Sequence, residues 1–353
     1  MSRIVELLYG MIRENAEHGV HQFTIGLPKL QSVIDGARRS WFVLLGGGSG
    51  SGKSTFVLYC YVYKPIMQCI KEGNHNYRVW MYNLEMESYI VLLKLMSFYI
   101  WDKYGKEMGV RDILSFKGPL QQDSMDMIYE AREMMEKMAE YITFYEKDEF
   151  NADKLYENTV NYYYGKGQFD AQTGKFMPDN PQAVEVGIID HIGETPRKGG
   201  QSRKDAVDDV ADACKKLRNV YGSSWVVLQQ LNRGMSDVKR REKYSGIEPD
   251  DFKDSGNVYE KADVVLGLYY PFKMKDFNAG GYNIREMKNR LRIMQVLKGR
   301  FGEADIAFGL AFYGLSGLFA ELPKSGEISN YSVYDTPQWL KANEATDQII
   351  YDL

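Results

Sequence analysis

The chain has 353 residues, 44 Lys+Arg against 48 Asp+Glu, a net charge of −4 and a hydrophobic fraction of 44%. That apolar content excludes an intrinsically disordered chain, and the acidic balance excludes binding of polyanions through overall charge, so any contact with nucleic acid must come from locally concentrated cations. Length alone predicts either about two domains of roughly 150 residues or one large α/β domain.

From the N-terminus, Ile4, Leu7, Leu8, Met11 and Ile12 recur on one stripe of residues 3–17 with charges opposite, which predicts an amphipathic helix. A loop-rich approach through Leu27, Pro28, Lys29 and Leu30 leads to a strand at Trp41–Leu45, followed by an apolar helix over Phe56–Tyr63. A second strand covers Tyr77–Leu84. Helices at about 87–104 and 121–139, a short strand at Tyr141–Tyr145 and a helix near 152–163 come next. Residues 165–181 break this pattern, with Asp170 to Lys175 as a tight turn, and read as a surface hairpin insertion. Strands are then expected at Val184–Asp190, Trp225–Gln229, Ala262–Tyr269, Ile293–Lys298 and Ile306–Phe312, with a helix at about 203–220 between the first two. Runs of Val, Ile and Leu alternating with helices predict an α/β fold with a mainly parallel central sheet covered on both faces. The last three strands lie close together and predict an antiparallel edge.

The longest apolar stretch, Tyr89 to Trp101, contains Lys94 and falls short of the roughly 20 residues a membrane span needs; Glu6 interrupts the N-terminal apolar run. Neither a transmembrane helix nor a signal peptide is predicted, and the expected location is the cytoplasm. Cys60, Cys69 and Cys214 form no C-x-x-C pair and read as reduced, buried thiols. The histidines are scattered, and His18 and His21 lack the Cys or carboxylate company of a metal site.

The most specific signal is Gly47-Gly48-Ser49-Gly50-Ser51-Gly52-Lys53-Ser54, a match to G-x-x-x-x-G-K-S/T, followed by Thr55 and placed between a strand and a helix. Glycines let backbone N–H groups converge on phosphate oxygens, Lys53 supplies a cation for the β and γ phosphates of ATP, and Ser54 offers a hydroxyl to Mg²⁺. Hydrolysis also needs a metal-holding carboxylate and a group that activates water. Asp190 ends a buried strand and fits the first role. His191 follows it where many ATPases place an acidic base, so Glu85, at the end of the neighbouring strand, is the candidate base; Glu87 is its nearby competitor, and a solvated surface Glu is the alternative.

With these in place, the sequence resembles the motor domain of DnaB-type replicative helicases, a group of RecA-like hexameric P-loop ATPases. Asn83-Leu84-Glu85-Met86 is similar to the family's S-L-E-M, whose Glu is the catalytic base; Val226 to Arg233 is similar to V-x-L-S-Q-L-N-R, whose Gln, here Gln230, senses the γ-phosphate. Asp251 to Asp263 resembles D-L-R-E-S-G-x-I-E-Q-D-A-D, and Lys298-Gly299-Arg300 fits the K-x-R that reaches into a neighbour's nucleotide. A polar strand cap at Gln230 and a solvated basic strand end at Lys298 and Arg300 are the plainer readings. The resemblance implies that Lys253, Asp254, Ser255 and Gly256 contact single-stranded DNA. It also implies that two basic runs, Arg197-Lys198 to Lys204 and Lys239 to Lys243, line a central pore, against the alternative of ordinary solvated loops.

The match covers about residues 23–322, replacing the two-domain expectation with one motor domain, an arm at 1–22 and a tail at 323–353. It implies ATP and Mg²⁺ as cofactors, a homo-hexamer, 5′ to 3′ movement on single-stranded DNA, and a primase, helicase loader or polymerase as further partners. The phosphate loop lacks the family's G-R-P-S start, His191 replaces a Tyr, the hairpin at 165–181 is extra and the family's N-terminal domain is absent. This last departure suggests a bacteriophage or mobile-element protein. The helix at 3–17 resembles the family's linker helix that packs on an adjacent subunit, with packing on its own domain as the alternative. A RecA- or RadA-like recombinase filament and a nucleotide-gated loader or scaffold remain rival functions.

Overall fold

The computed structural model describes residues 3–18, 21–145, 147, 150–231, 246–276, 278–300, 302–335 and 339–341. Its strands are β1 (Phe42–Gly47), β2 (Tyr77–Asn83), β3 (Ile142–Tyr145), β4 (Gly167–Phe169), β5 (Phe176–Pro178), β6 (Val184–Asp190) and β7 (Ser224–Gln230). They continue with β8 (Val264–Tyr269), β9 (Asn278–Ala279), β10 (Tyr282–Asn283), β11 (Leu291–Gly299), β12 (Ile306–Tyr313) and β13 (Leu318–Glu321). Nine of them form one sheet in the order β13-β12-β11-β8-β1-β7-β6-β2-β3. From β8 to β3 all neighbours are parallel, while β11, β12 and β13 run antiparallel at one edge.

Every residue of β1, β6 and β8 is buried, as a parallel sheet with helices on both faces requires. One hydrophobic core runs from Phe23 to Leu340 and includes Phe42, Trp80, Trp101, Val186, Trp225 and Leu266. Helices cover the sheet with local caps: the Ser202 hydroxyl accepts from the Asp205 N–H at the start of the helix Arg203–Tyr221, and Asn151 does the same for Ala152–Tyr163. No helix among the described residues is long and apolar enough to cross a membrane.

Four expectations change. The stretch after Leu27 is a short helix, Pro28–Ile34, because Pro28 presets its first turn and the Glu321 carboxylate, from β13, accepts from the N–H groups of Lys29 (2.8 Å) and Leu30 (2.9 Å). The antiparallel run of β8, β11 and β12 is as expected, but it gains a further short, unforeseen strand, β13, and β8 also pairs in parallel with β1. The helix after the phosphate loop does not stop at Tyr63 but continues, through a π-helical segment Leu58–Tyr63, to Glu72. The 165–181 segment is a hairpin of β4 and β5, with the Asp170 side chain organising its turn, yet it is not wholly superficial. Phe176 is buried against Tyr163 and Tyr221, while Phe169 and Tyr164 face solvent.

In the N-terminal helix Arg3–His18, Leu8, Tyr9 and Ile12 are exposed. In the tail, Trp339 packs on Tyr334 and Leu340 is fully buried, so this part covers the chain's own core; Ile349, Ile350 and Tyr351 lie outside the described residues.

Candidate active site

The parallel strands set the site, because their carboxyl ends lie along one rim of the sheet. At the end of β1 the chain turns through Gly48–Gly52 into the helix that starts at Lys53. Gly52 has φ +100°, a left-handed conformation that L side chains rarely adopt, and it lets the loop close onto the helix N-terminus. Three long-range bonds brace the loop: Lys273 Nζ donates to the Ser49 carbonyl (2.5 Å), Arg292 Nε to the Ser51 carbonyl (2.6 Å), and the Leu231 N–H to the Gly47 carbonyl (3.2 Å). Ser51 is buried and its hydroxyl has no partner, an orphaned polar atom inside a loop otherwise shaped by backbone bonds.

Lys53 folds back over its own loop, its Nζ donating to the carbonyls of Gly47 (2.8 Å) and Gly48 (3.2 Å). Burial lowers its ammonium pKa to about 8, against the opposing charges of Asp190 and Glu85 and with help from Lys273. The Ser54 hydroxyl lies against the Asp190 carboxylate, which is 3% exposed. Burial pushes the Asp190 carboxyl up; the Ser54 hydroxyl opposes that, Glu85 reinforces it, and His191 and Lys53 oppose it. An all-oxygen pair of hydroxyl and carboxylate suits a hard cation such as Mg²⁺, which keeps several waters and shares substrate phosphates. The described residues contain no group of three or more His, Cys, Asp or Glu that could hold a metal by themselves. The two oxygens fit a hard cation whose remaining ligands would come from water or phosphate.

Sheet register brings in Glu85. Asn83 pairs with Asp190 across β2 and β6, and the Leu84 N–H donates to the Asp190 carbonyl (2.8 Å), so Glu85 emerges next to the β6 end. Its Oε1 is 3.2 Å from His191 Nε2. Glu87, at the start of the helix Ser88–Tyr104, is exposed. Gln230 pairs with Gly47 and is exposed at the rim, whereas Gln229, pointing the other way, is buried with an unpartnered Oε1.

The two basic residues of β11's end sit elsewhere. Lys298 pairs with Val265 and the Arg300 N–H donates to the Asp263 carbonyl, which places both level with the first residues of β1, at the opposite end of the sheet from this chain's phosphate loop. Lys298 Nζ donates to the carbonyls of Tyr259 (3.1 Å) and Glu260 (2.9 Å), and Arg300 Nη1 to Asp263 Oδ1 (2.7 Å).

Arg197 and Lys198 are exposed on the loop after β6, and Lys198 is already paired with Asp153. Lys253, Asp254 and Ser255 end the 3₁₀ segment Pro249–Ser255 and Gly256 opens the helix Gly256–Lys261; their side chains lie outside the described residues. That segment is held to the rim by Phe252, whose ring fills the space a Cβ at Gly46 would need. Asn232, Arg233 and the run 239–243 also lie outside the described residues.

Sequence reasoning missed Lys94. Its Nζ donates to Thr55 Oγ1 (2.9 Å), and burial lowers its pKa against the pull of Asp190, so a second cation stands beside the phosphate loop. A lone Lys inside an apolar helix was the available signal. Also missed was a pair of cavities, about 500 and 330 Å³, that meet at Tyr270 and Asn289 beside the loop. The Arg292 guanidinium lies 3.6 Å from the centre of the Tyr270 ring, giving this space an aromatic and cationic wall.

Residues 23–315 match the family model for the DnaB-like helicase C terminal domain. This chain belongs to that family. Its fold is that of the RecA-like P-loop NTPases, and ATP and Mg²⁺ use is typical of that class. A solved structure of a DnaB-like replicative helicase, described together with its interactions with primase, aligns at TM-score 0.69 and 18% identity over 92% of this chain and 68% of that one. A solved ATPase domain aligns equally well, over 92% of this chain and 100% of that one, again at 18% identity and TM-score 0.69. A KaiC-like protein of Pyrococcus horikoshii aligns at 14% identity and TM-score 0.49, over 86% of this chain and 100% of that one. No curated protein matches the sequence.

Proposed function

We propose that this DnaB-like chain is the motor of a ring-shaped helicase that hydrolyses ATP, moves 5′ to 3′ along single-stranded DNA and unwinds duplex. The observation that carries the proposal is the convergence of Lys53, Ser54, Asp190 and Glu85 at the carboxyl ends of β1, β6 and β2. In this reading the backbone of Gly47–Gly52 and Thr55 cradles the phosphates, and Lys53 turns from its own carbonyls to the β and γ oxygens. Ser54 and Asp190 would hold Mg²⁺, which when bound would neutralise developing phosphate charge. Glu85 takes a proton from the attacking water, and Gln230 reports the γ-phosphate.

Lys298 and Arg300 point to assembly. Because they stand at the far end of the sheet from their own loop, any contact with phosphate requires a second copy, as in a homo-hexamer whose sites lie between subunits. The exposed apolar residues of the helix Arg3–His18 suit an arm, residues 1–22, laid on a neighbouring motor of residues 23–322. Single-stranded DNA would meet Arg197, Lys198, Lys253, Asp254, Ser255 and Gly256, through sequence-independent contacts to its backbone. For Lys198 the strand must displace Asp153. A primase, by analogy with the solved replicative helicase, a loader or a polymerase would be a further partner, in the cytoplasm of a bacterium or of a phage-infected host.

Strand displacement on forks with either a 5′ or a 3′ single-stranded tail, alongside native mass with a non-hydrolysable nucleotide, tests this. A preference for the 5′ tail and a closed oligomer are expected. A 3′ preference, or a monomer under every nucleotide condition, would defeat the proposal, and open filaments would favour a recombinase.

A further inference from the structure

His191 follows Asp190 directly and is 8% exposed. One side of its ring faces Glu85, Nε2 to Oε1 at 3.2 Å, and the other nitrogen, Nδ1, is buried without a hydrogen-bond partner. Gly193 leaves just enough room for the ring: a Cβ there would sit 3.0 Å from both Nδ1 and Cε1. The imidazole is thus held by its surroundings, while the Glu85 side chain is 46% exposed and has three rotatable bonds. An ionised carboxylate can only accept, so the ring can hold it only through an Nε2–H.

We propose that His191 is a positioning residue for the hydrolytic base: its Nε2–H holds Oε1 of Glu85, which leaves Oε2 turned to the water that attacks the γ-phosphate. The inference rests on Glu85 being the base. A flexible, solvated glutamate visits many rotamers, and a fixed donor on a buried ring selects one of them before ATP arrives. The neighbouring β6 end supplies this donor because the strand that carries the metal-binding carboxylate runs beside the strand that carries the base. His191 itself touches neither nucleotide nor metal in this scheme.

The test uses the full chain and reads kcat, KM and fluorescent-nucleotide affinity for His191→Phe, which keeps a ring and loses the donor, and for His191→Gln, whose amide N–H lies near the Nε2 position. His191→Leu serves as the donor-free variant if thermal melts show that the Phe variant is not folded. The donor-free variant should lose about 10- to 100-fold in kcat with KM and affinity changed less than about threefold. His191→Gln should recover most of that loss. In a Glu85→Gln background, followed by single-turnover phosphate release, removing the histidine should cost nothing further, because the group it positions is gone. Unchanged kcat without the donor, equal losses in the Gln and donor-free variants, or a full additional loss in the Glu85→Gln background would each overturn the inference. Normal turnover by Glu85→Gln alone would instead show that the base was misassigned.

Discussion

Replacing Asp263 with Asn should destabilise the fold by about 3–5 kcal/mol, the usual cost of stripping one partner from a buried ion pair. Asp263 is 2% exposed and its carboxylate accepts from Arg218 Nη1, from the Phe42 N–H (3.0 Å) and from Arg300 Nη1 (2.7 Å). Arg218 is itself 6% exposed, so an amide in place of the carboxylate leaves a guanidinium buried without a counter-charge. Such a loss is a large share of the roughly 5–15 kcal/mol that holds a typical domain folded. Arg300, by contrast, is 53% exposed in its side chain, and Arg300→Ala should cost less than about 1 kcal/mol. Replacing the buried pair together, Asp263→Leu with Arg218→Met, should recover much of the Asp263→Asn loss, since neither charge is then stranded. Urea unfolding followed by tryptophan fluorescence measures all three, with Trp225 buried in the same sheet. A loss below about 1 kcal/mol for Asp263→Asn, or an equal loss for Arg300→Ala, would refute the reasoning.

Lys53 gives a pH dependence. Its folded value of about 8 lies below the ordinary 10.5, so the charged form weakens the free fold below about pH 8 and that cost is relieved as pH rises from 8 to 10.5. ATP phosphates favour the charged amine, so binding near pH 9 should take up a proton, seen as a calorimetric heat that depends on the buffer's ionisation enthalpy; a buffer-independent heat would contradict this. The three buried thiols should be inert in the native protein: burial pushes Cys69 up to about 12 and Cys60 and Cys214 well above the usual value, so almost no thiolate exists at pH 8. A colourimetric disulfide reagent should label the cysteines only in denaturant; rapid labelling of the native chain would count against the packing described.

The strand-loop-helix unit around Gly47–Ser54 was legible because all its parts are adjacent in sequence: strand, glycines, Lys53, Ser54 and helix. Glu85 and Asp190 were legible one step less directly, each as a carboxylate at a strand's end, but that the two strands are neighbours is a property of sheet order. What escaped the sequence depends on partners far away in the chain. Glu321 stabilises the helix start at Lys29 and Leu30 from nearly the other end of the molecule, and Lys94 reaches Thr55 from a different helix. His191 looked only like an unusual residue after Asp190; its proximity to Glu85 follows from the register of β2 and β6. The antiparallel run of β8, β11 and β12 was legible from their closeness along the chain, whereas β13, at four residues, is too short to show a pattern.

The most direct measurement is ATP turnover by Glu85→Gln in the presence of single-stranded DNA, set beside its nucleotide affinity. If the ends of β1, β2 and β6 form one hydrolytic site with Glu85 as its base, affinity stays near that of the wild type while turnover falls by roughly two to four orders of magnitude. Near-normal turnover would contradict that assignment, and a parallel loss of binding would show that Glu85 holds the nucleotide instead of activating water.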